Sequence, residues 1–188
     1  MLPKRSKIYT GRGDKGKTYL IFGEEVDKDN PRVKAYGSLD ELNACLGVVN
    51  SFLKEPRTQR IVEQIQNELF NIGAELASPK RLRKNEKGFF ELGSDRVKDL
   101  EKNIDQYDSR LPSLRHFILP GGTNTASFLH LARTVSRRAE REIVTLTKTA
   151  KVNPNILVYI NRLSDFLFVL ARYMNKRGGR KETPWKKD

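Results

Sequence analysis

Eight residues near the start of the chain, Gly11-Arg12-Gly13-Asp14-Lys15-Gly16-Lys17-Thr18, have the spacing of a phosphate-binding loop. Glycines so placed let successive backbone N–H groups wrap phosphate oxygens, while a lysine and a threonine reach phosphate and magnesium. The P-loop of parallel-sheet nucleotide enzymes also needs a buried strand before it and a helix after it. Here only Ile8-Tyr9-Thr10 precedes, and the strand-like run Tyr19-Leu20-Ile21-Phe22 follows, so the letters match without the fold. Thr10, Lys15, Lys17 and Thr18 can cradle phosphate oxygens all the same. A plain surface turn is the competing reading.

A second group lies in the middle of the chain. Arg133, Arg137 and Arg141 recur at i, i+4 and i+8 beside an apolar stripe of Phe128, Ala132, Val135, Ala139 and Ile143, which puts three guanidinium groups in one row on a helix. Like charges at that spacing repel by a few tenths of a kcal/mol per pair, a cost that a polyphosphate would remove. Exposed ion pairs to Glu140 and Glu142 would remove it equally well. Asn161, Ser164 and Asp165 form a polar patch at i, i+3 and i+4 in an otherwise apolar segment, facing either solvent or a site. Asp40 sits where a helix start is expected, and the macrodipole alone would explain it there; a functional role requires an arginine partner. His116 and His130 could be acid–base groups, but with no Ser or Cys nucleophile paired to either, structural roles are preferred. Cys45 stands alone, and two histidines cannot complete a Cys/His metal centre, so any metal should arrive with a ligand.

These residues must be positioned by helices. Ser38 and Glu41 read as a capping box for a first helix from about Leu39 to Leu53, with Leu39, Leu42, Leu46, Val49 and Leu53 at helical spacing. A second is expected from Thr58 to about Leu76, stopping before Ser78-Pro79. Ser94 can cap a third that ends near Leu111-Pro112, and Thr123, after Pro120-Gly121-Gly122, a fourth that runs to about Lys148. A fifth starts near Pro154 and carries Ile156, Ile160, Leu163, Leu167, Leu170 and Met174. The basic segment from Pro79 to Gly93 is expected to be a mobile loop, and the tail after Lys176 to fray. The fold class expected is all-α: a five-helix bundle with an ordered N-terminal glycine-rich loop. One domain of 188 residues divides into a loop region (1–37), the bundle (38–176) and a basic tail (177–188).

Composition narrows the function. With 37% hydrophobic and 31% charged residues and no apolar run of about 20 residues, the chain reads as a globular, cytoplasmic protein without a signal segment. A net charge of +13 favours anionic partners such as nucleotides or nucleic acid.

Five segments taken together give a more specific reading. Tyr9 to Thr18, DNPRVKAYGSLDEL from Asp29 to Leu42, FILPGG from Phe117 to Gly122, ARTVSRRAER from Ala132 to Arg141 and NRLSD from Asn161 to Asp165 resemble the ATP:cob(I)alamin adenosyltransferases of the propanediol-utilisation type. The resemblance runs from about Lys7 to Tyr173. It implies an enzyme that transfers the 5′-deoxyadenosyl group of ATP to the cobalt of cob(I)alamin, giving adenosylcobalamin and triphosphate. It also implies a homotrimer with active sites at subunit interfaces, where one chain's N-terminal loop meets the bundle of its neighbour. ATP, magnesium and cobalamin are the expected ligands. A corrinoid reductase and an adenosylcobalamin-dependent enzyme are possible partners, with no membrane or nucleic acid.

Carried over by position, the resemblance assigns Thr10, Gly11, Arg12, Gly13, Lys15, Thr18, Tyr19, Lys28, Arg137, Arg138, Glu140, Arg141 and Asn161 to the ATP site. Asp40 would pair with Arg133 across that site, Arg137 would contact the triphosphate, and Phe117 would hold the corrinoid with its lower axial ligand removed. No protein nucleophile is then needed, since cobalt attacks the 5′ carbon. Two alternatives from other classes are a basic helical nucleic-acid-binding protein, which would bind in a salt-dependent and ATP-independent way, and a P-loop kinase, which would require a parallel sheet.

Overall fold

The computed structural model describes residues 8–78 and 90–187. Five helices, α1 (Pro31–Phe52), α2 (Pro56–Leu76), α3 (Ser94–Asp108), α4 (Asn124–Thr147) and α5 (Pro154–Arg177), form the expected bundle. A small antiparallel hairpin, β1 (Lys17–Tyr19) and β2 (Glu25–Asp27), precedes them, with Thr18 opposite Val26. Helices α1 and α4 pack together at the centre, α2 lies against α1, and α3 against α5. Leu42, Leu46, Leu129, Ile143, Leu163 and Leu167 are fully removed from solvent between them. Each such side chain contributes about 1.5–3 kcal/mol through apolar burial.

The helix starts show where local chemistry outweighs pattern. α1 begins eight residues before the Ser38–Glu41 box, at Asn30-Pro31: the Asn30 side chain accepts from the Arg32 amide at 2.9 Å, and Pro31 occupies a first-turn position. An Asn cap followed by Pro is the stronger start signal, and the apolar spacing simply continues upstream through Ala35. Asp40 therefore lies in the third turn, beyond the reach of the helix dipole that could otherwise have explained it. α2 starts two residues earlier than expected, at Pro56. α3 begins with Ser94 itself, with Gly93 in the cap position and no side-chain cap bond. α4 starts as expected, with the Thr123 side chain accepting from the Ala126 amide.

Three expectations outside the helices change. The run from Tyr19 to Phe22 is not a strand: β1 ends at Tyr19, and the chain turns through Gly23, whose φ of 82° only glycine adopts readily. The expected mobile loop from Pro79 falls outside the described residues up to position 89. Its far end is anchored: Leu92 is buried, its amide donates to Glu75, and its carbonyl accepts from Asn153 and Asn155. The tail after Lys176 does not fray. It returns to the bundle and pairs with the segment before α4, Ile118 bridging Pro184. No described helix is long and apolar enough to cross a membrane.

Candidate functional site

The glycine loop is a set of tight turns leading into the hairpin. Gly11 and Gly16 carry φ of 69° and 78°, and the amides of Asp14 and Gly16 donate to the carbonyls of Gly11 and Gly13. No helix follows it, so the parallel-sheet P-loop is excluded and only the loop's phosphate chemistry remains. The Lys28 amide donates to Gly16, and the Lys28 side chain passes over Gly13 so closely that a Cβ there would lie 3.1 Å from Nζ. Lys17 is held by Glu25 at 3.5 Å and by Asp27 at 3.8 Å. The Tyr19 hydroxyl donates to Glu25 at 2.9 Å, and that bond, with the carboxylate charge, raises the phenol's pKa. Arg12 and Lys15 are exposed and make no ion pair among the described residues, whereas Thr18 is half-buried on β1. The hairpin rests against the end of α2, where Ile21 donates to the Ala77 carbonyl.

The arginine row lies elsewhere on the chain, at the seam of α4 and α5. Arg137 pairs with Glu140 at 3.3 Å, Asn161 donates to Glu140 at 3.0 Å, and Arg162 bridges the Asn161 side-chain Oδ1 and Glu101. The structure thus brings Arg137, Glu140 and Asn161 into one hydrogen-bonded group. Arg141 is exposed and donates to the Arg137 carbonyl at 3.1 Å. Arg138 points the other way, to Glu41 on α1. Within the NRLSD patch, Ser164 is spent on its own helix, donating to the Asn161 carbonyl, while Asp165 is exposed.

Two groups lack partners among the described residues. Asp40 is exposed at the rim of an apolar groove of about 380 Å³ between α1 and α2, lined also by Tyr36, Asn43, Phe70 and Ala74. It has no hydrogen-bond or ion-pair partner among the described residues, so the expected pair with Arg133 does not form within one chain. Among the described residues the buried Nε of Arg133 has no partner, and one turn away neither have the two ring nitrogens of buried His130. Burial, and then the Arg133 charge, lower the His130 pKa and keep the ring neutral. Buried polar atoms without partners are rare, because each costs about 1–3 kcal/mol. His116, by contrast, is exposed in the segment before α4.

Phe117 lies in that same segment and is 77% exposed. Its carbonyl accepts from the Trp185 amide at 2.7 Å, and its ring meets the Trp185 ring edge-on at 6.4 Å. The turn behind it is fixed by Asn175 of α5, which is buried: Nδ2 donates to the Gly121 carbonyl and Oδ1 accepts from the Thr123 amide. A Cβ on Gly122 would strike Asn175 at 2.0 Å. Asn175 and Arg172 were not foreseen in the sequence. The only signal is a polar residue twice interrupting the buried face of α5.

Comparison with known proteins follows the same lines. A family model described as cobalamin adenosyltransferase matches residues 8–174. The chain is 43% identical, over 177 residues, to the corrinoid adenosyltransferase of Bacillus subtilis, covering 92% of this chain and 89% of that one. It is 47% identical over 165 residues to the corrinoid adenosyltransferase PduO of Citrobacter freundii, covering 88% of this chain and only 49% of that longer protein. A solved PduO-type ATP:corrinoid adenosyltransferase from Lactobacillus reuteri, a variant complexed with cobalamin and ATP, superposes with a TM-score of 0.88 at 40% identity, covering 96% of this chain and 100% of that one.

Proposed function

The chain belongs to the cobalamin adenosyltransferase family, and from that premise we propose that it transfers the 5′-deoxyadenosyl group of ATP to the cobalt of cob(I)alamin, releasing triphosphate. The observation that carries the proposal is the family match over residues 8–174 together with the grouping of Arg137, Glu140 and Asn161 at one seam. Cobalt supplies the electron pair that forms the Co–C bond as the C5′–O bond breaks, and triphosphate carries that pair away. The chain's own task is to align the two reactants and to stabilise the charge that gathers on the departing triphosphate. Arg137 is the group assigned to that charge. Its present partner Glu140 keeps the guanidinium oriented.

Thr10, Gly11, Arg12, Gly13, Lys15, Thr18, Tyr19 and Lys28 are assigned to ATP from the loop side, and Arg138, Arg141 and Asn161 from the bundle side. The loop rests on the end of α2 while the arginines line the α4–α5 seam, an arrangement that favours sites shared between copies of a homotrimer. Asp40, which has no partner among the described residues, and Arg133, whose buried Nε has none there either, are the residues expected to meet across that boundary. Magnesium would ride on the phosphate oxygens, needing only one or two protein oxygens such as the Thr18 hydroxyl. Phe117, an exposed ring held from behind, is assigned to the corrinoid face. The cytoplasm is the proposed location, with a reductase upstream and an adenosylcobalamin-dependent enzyme downstream.

The test is spectrophotometric. Chemically reduced cob(I)alamin, magnesium and ATP are incubated in the dark with and without the protein, and conversion to the adenosylated corrinoid is followed. ATP-dependent conversion is expected only with the protein. Its absence from folded protein would overturn the assignment.

A further inference from the structure

We propose that Glu182 and Arg172 are positioning residues for the corrinoid side of the reaction: their ion pair straps the C-terminal tail against the segment that carries Phe117. This rests on the assignment of Phe117 to the corrinoid face.

Phe117 belongs to a stretch without regular structure between α3 and α4, and its ring is mostly in solvent. Nothing in that stretch fixes it by itself. What does fix it comes from the far end of the chain. The Leu119 amide donates to the Thr183 carbonyl at 2.8 Å, and the Trp185 amide donates to the Phe117 carbonyl at 2.7 Å. These two bonds form a short antiparallel bridge, with Ile118 opposite Pro184, and the Trp185 ring packs edge-on against Phe117. Two hydrogen bonds and one ring contact, all exposed, are too few to hold a terminal segment against its conformational entropy.

The tail is secured one residue earlier. Glu182 accepts two hydrogen bonds from Arg172, from Nε at 2.8 Å and from Nη2 at 3.3 Å. Arg172 is only 4% exposed. Its Nη2 also donates to the Pro112 carbonyl at 2.9 Å, and Nη1 lies 3.8 Å from Asp108. One buried guanidinium therefore ties together the end of α3, the start of the Phe117 segment and the tail. A forked arginine–carboxylate pair is directional, and removing the carboxylate would leave the buried guanidinium without its main partner. Asn175, a turn further along α5, fixes the Gly121-Gly122 end of the same segment. Phe117 is thus held between two anchors on α5, one of them acting through the tail. No residue of the loop or of the arginine row takes part, so loosening the strap should disturb the corrinoid and spare ATP.

The chain has a single tryptophan, Trp185, so intrinsic fluorescence reports directly on the docked tail. The experiment compares the wild-type protein with Glu182→Gln and Glu182→Asp in the full chain. Three readouts are taken: Trp185 emission, ATP affinity by calorimetry, and the absorbance of bound cob(II)alamin, which distinguishes lower-ligand-on from lower-ligand-off forms. For Glu182→Gln we expect red-shifted Trp185 emission, ATP affinity within about twofold of wild type, a gain of the ligand-on form and a roughly tenfold to hundredfold fall in kcat, the scale of a misplaced reacting group. Glu182→Asp should recover part of each.

Unchanged Trp185 emission in Glu182→Gln would show that the ion pair does not hold the tail. Released tail with wild-type kcat and an unchanged cob(II)alamin spectrum would show that the tail does not position Phe117. Either overturns the proposal while leaving adenosyl transfer intact; a wild-type protein that converts nothing overturns that reading instead, and is recognised in the same assay.

Discussion

Two sets of polar groups in this bundle use similar residues in different ways. Between α2, α3 and α5, Glu68 is almost wholly buried. It accepts from the Tyr159 hydroxyl and from Gln64, with Arg96 at 3.6 Å. Every strong group there is answered inside the chain. On α1 and α4, Asp40 and the Nε of Arg133 have no partner among the described residues, and neither do the ring nitrogens of His130. The first cluster is an element of stability, because its polar groups recover in the fold what they lose on leaving water. In the second, the buried Arg133 Nε and His130 nitrogens are costly to the isolated chain, whereas Asp40 stays solvated. Such a cost persists where a ligand or a second copy supplies the missing partners.

Breaking the first cluster, or the arginine row that carries Arg133 on α4, should therefore have opposite signatures. The largest effect is expected from Arg137→Ala, which should lower kcat by about 10²–10³, the scale for removing one donor to developing charge. Its ion pair with Glu140 is half exposed, so unfolding should move by less than about 1 kcal/mol; steady-state kinetics and thermal melts on one preparation separate the two. Tyr159→Phe should do the reverse. It leaves a buried Glu68 oxygen short of a donor and should cost about 1–3 kcal/mol in denaturant unfolding, with turnover at saturating substrates unchanged.

Smaller, and a way to sharpen the contrast, is the pH response of His130. Burial and Arg133 lower its folded pKa below the ordinary 6.5, so the unfolded chain binds the proton more readily than the folded one. Its contribution to stability is present above about pH 6.5 and is lost as pH falls below that value. The melting temperature of the wild type should then drop more steeply from pH 7 to pH 5.5 than that of His130→Phe. Parallel profiles would mean that His130 is already satisfied.

Much of this was legible in the sequence, for identifiable reasons. Helical periodicity marked all five helices because each buries one continuous apolar stripe, and Thr123 and Pro154 fixed two starts outright. The arginine row and the glycine loop were visible because spacing alone defines them. The start of α1 was misplaced because Ser38 and Glu41 imitate a cap within a helix that Asn30-Pro31 had already begun. The strap was not legible at all. Arg172 and Glu182 are ten residues apart across a helix end, and only the fold shows that a charged residue on the buried face of α5 turns back to its own tail. Nor could spacing tell that Asp40 and Arg133 remain apart within one chain.

The proposed site is open in the single chain and completed by a second copy. The most direct measurement is subunit complementation: Asp40→Ala and Arg137→Ala chains are purified separately, then unfolded and refolded together in equal amounts, and ATP-dependent adenosylation of cob(I)alamin is compared with either variant refolded alone. If one copy supplies Asp40 and its neighbour supplies Arg137, about a quarter of the interfaces in the mixture carry both wild-type residues, and activity should return toward that fraction of wild type. If both residues act within the same chain, no mixed interface is whole, and a mixture no more active than its two components would contradict the account.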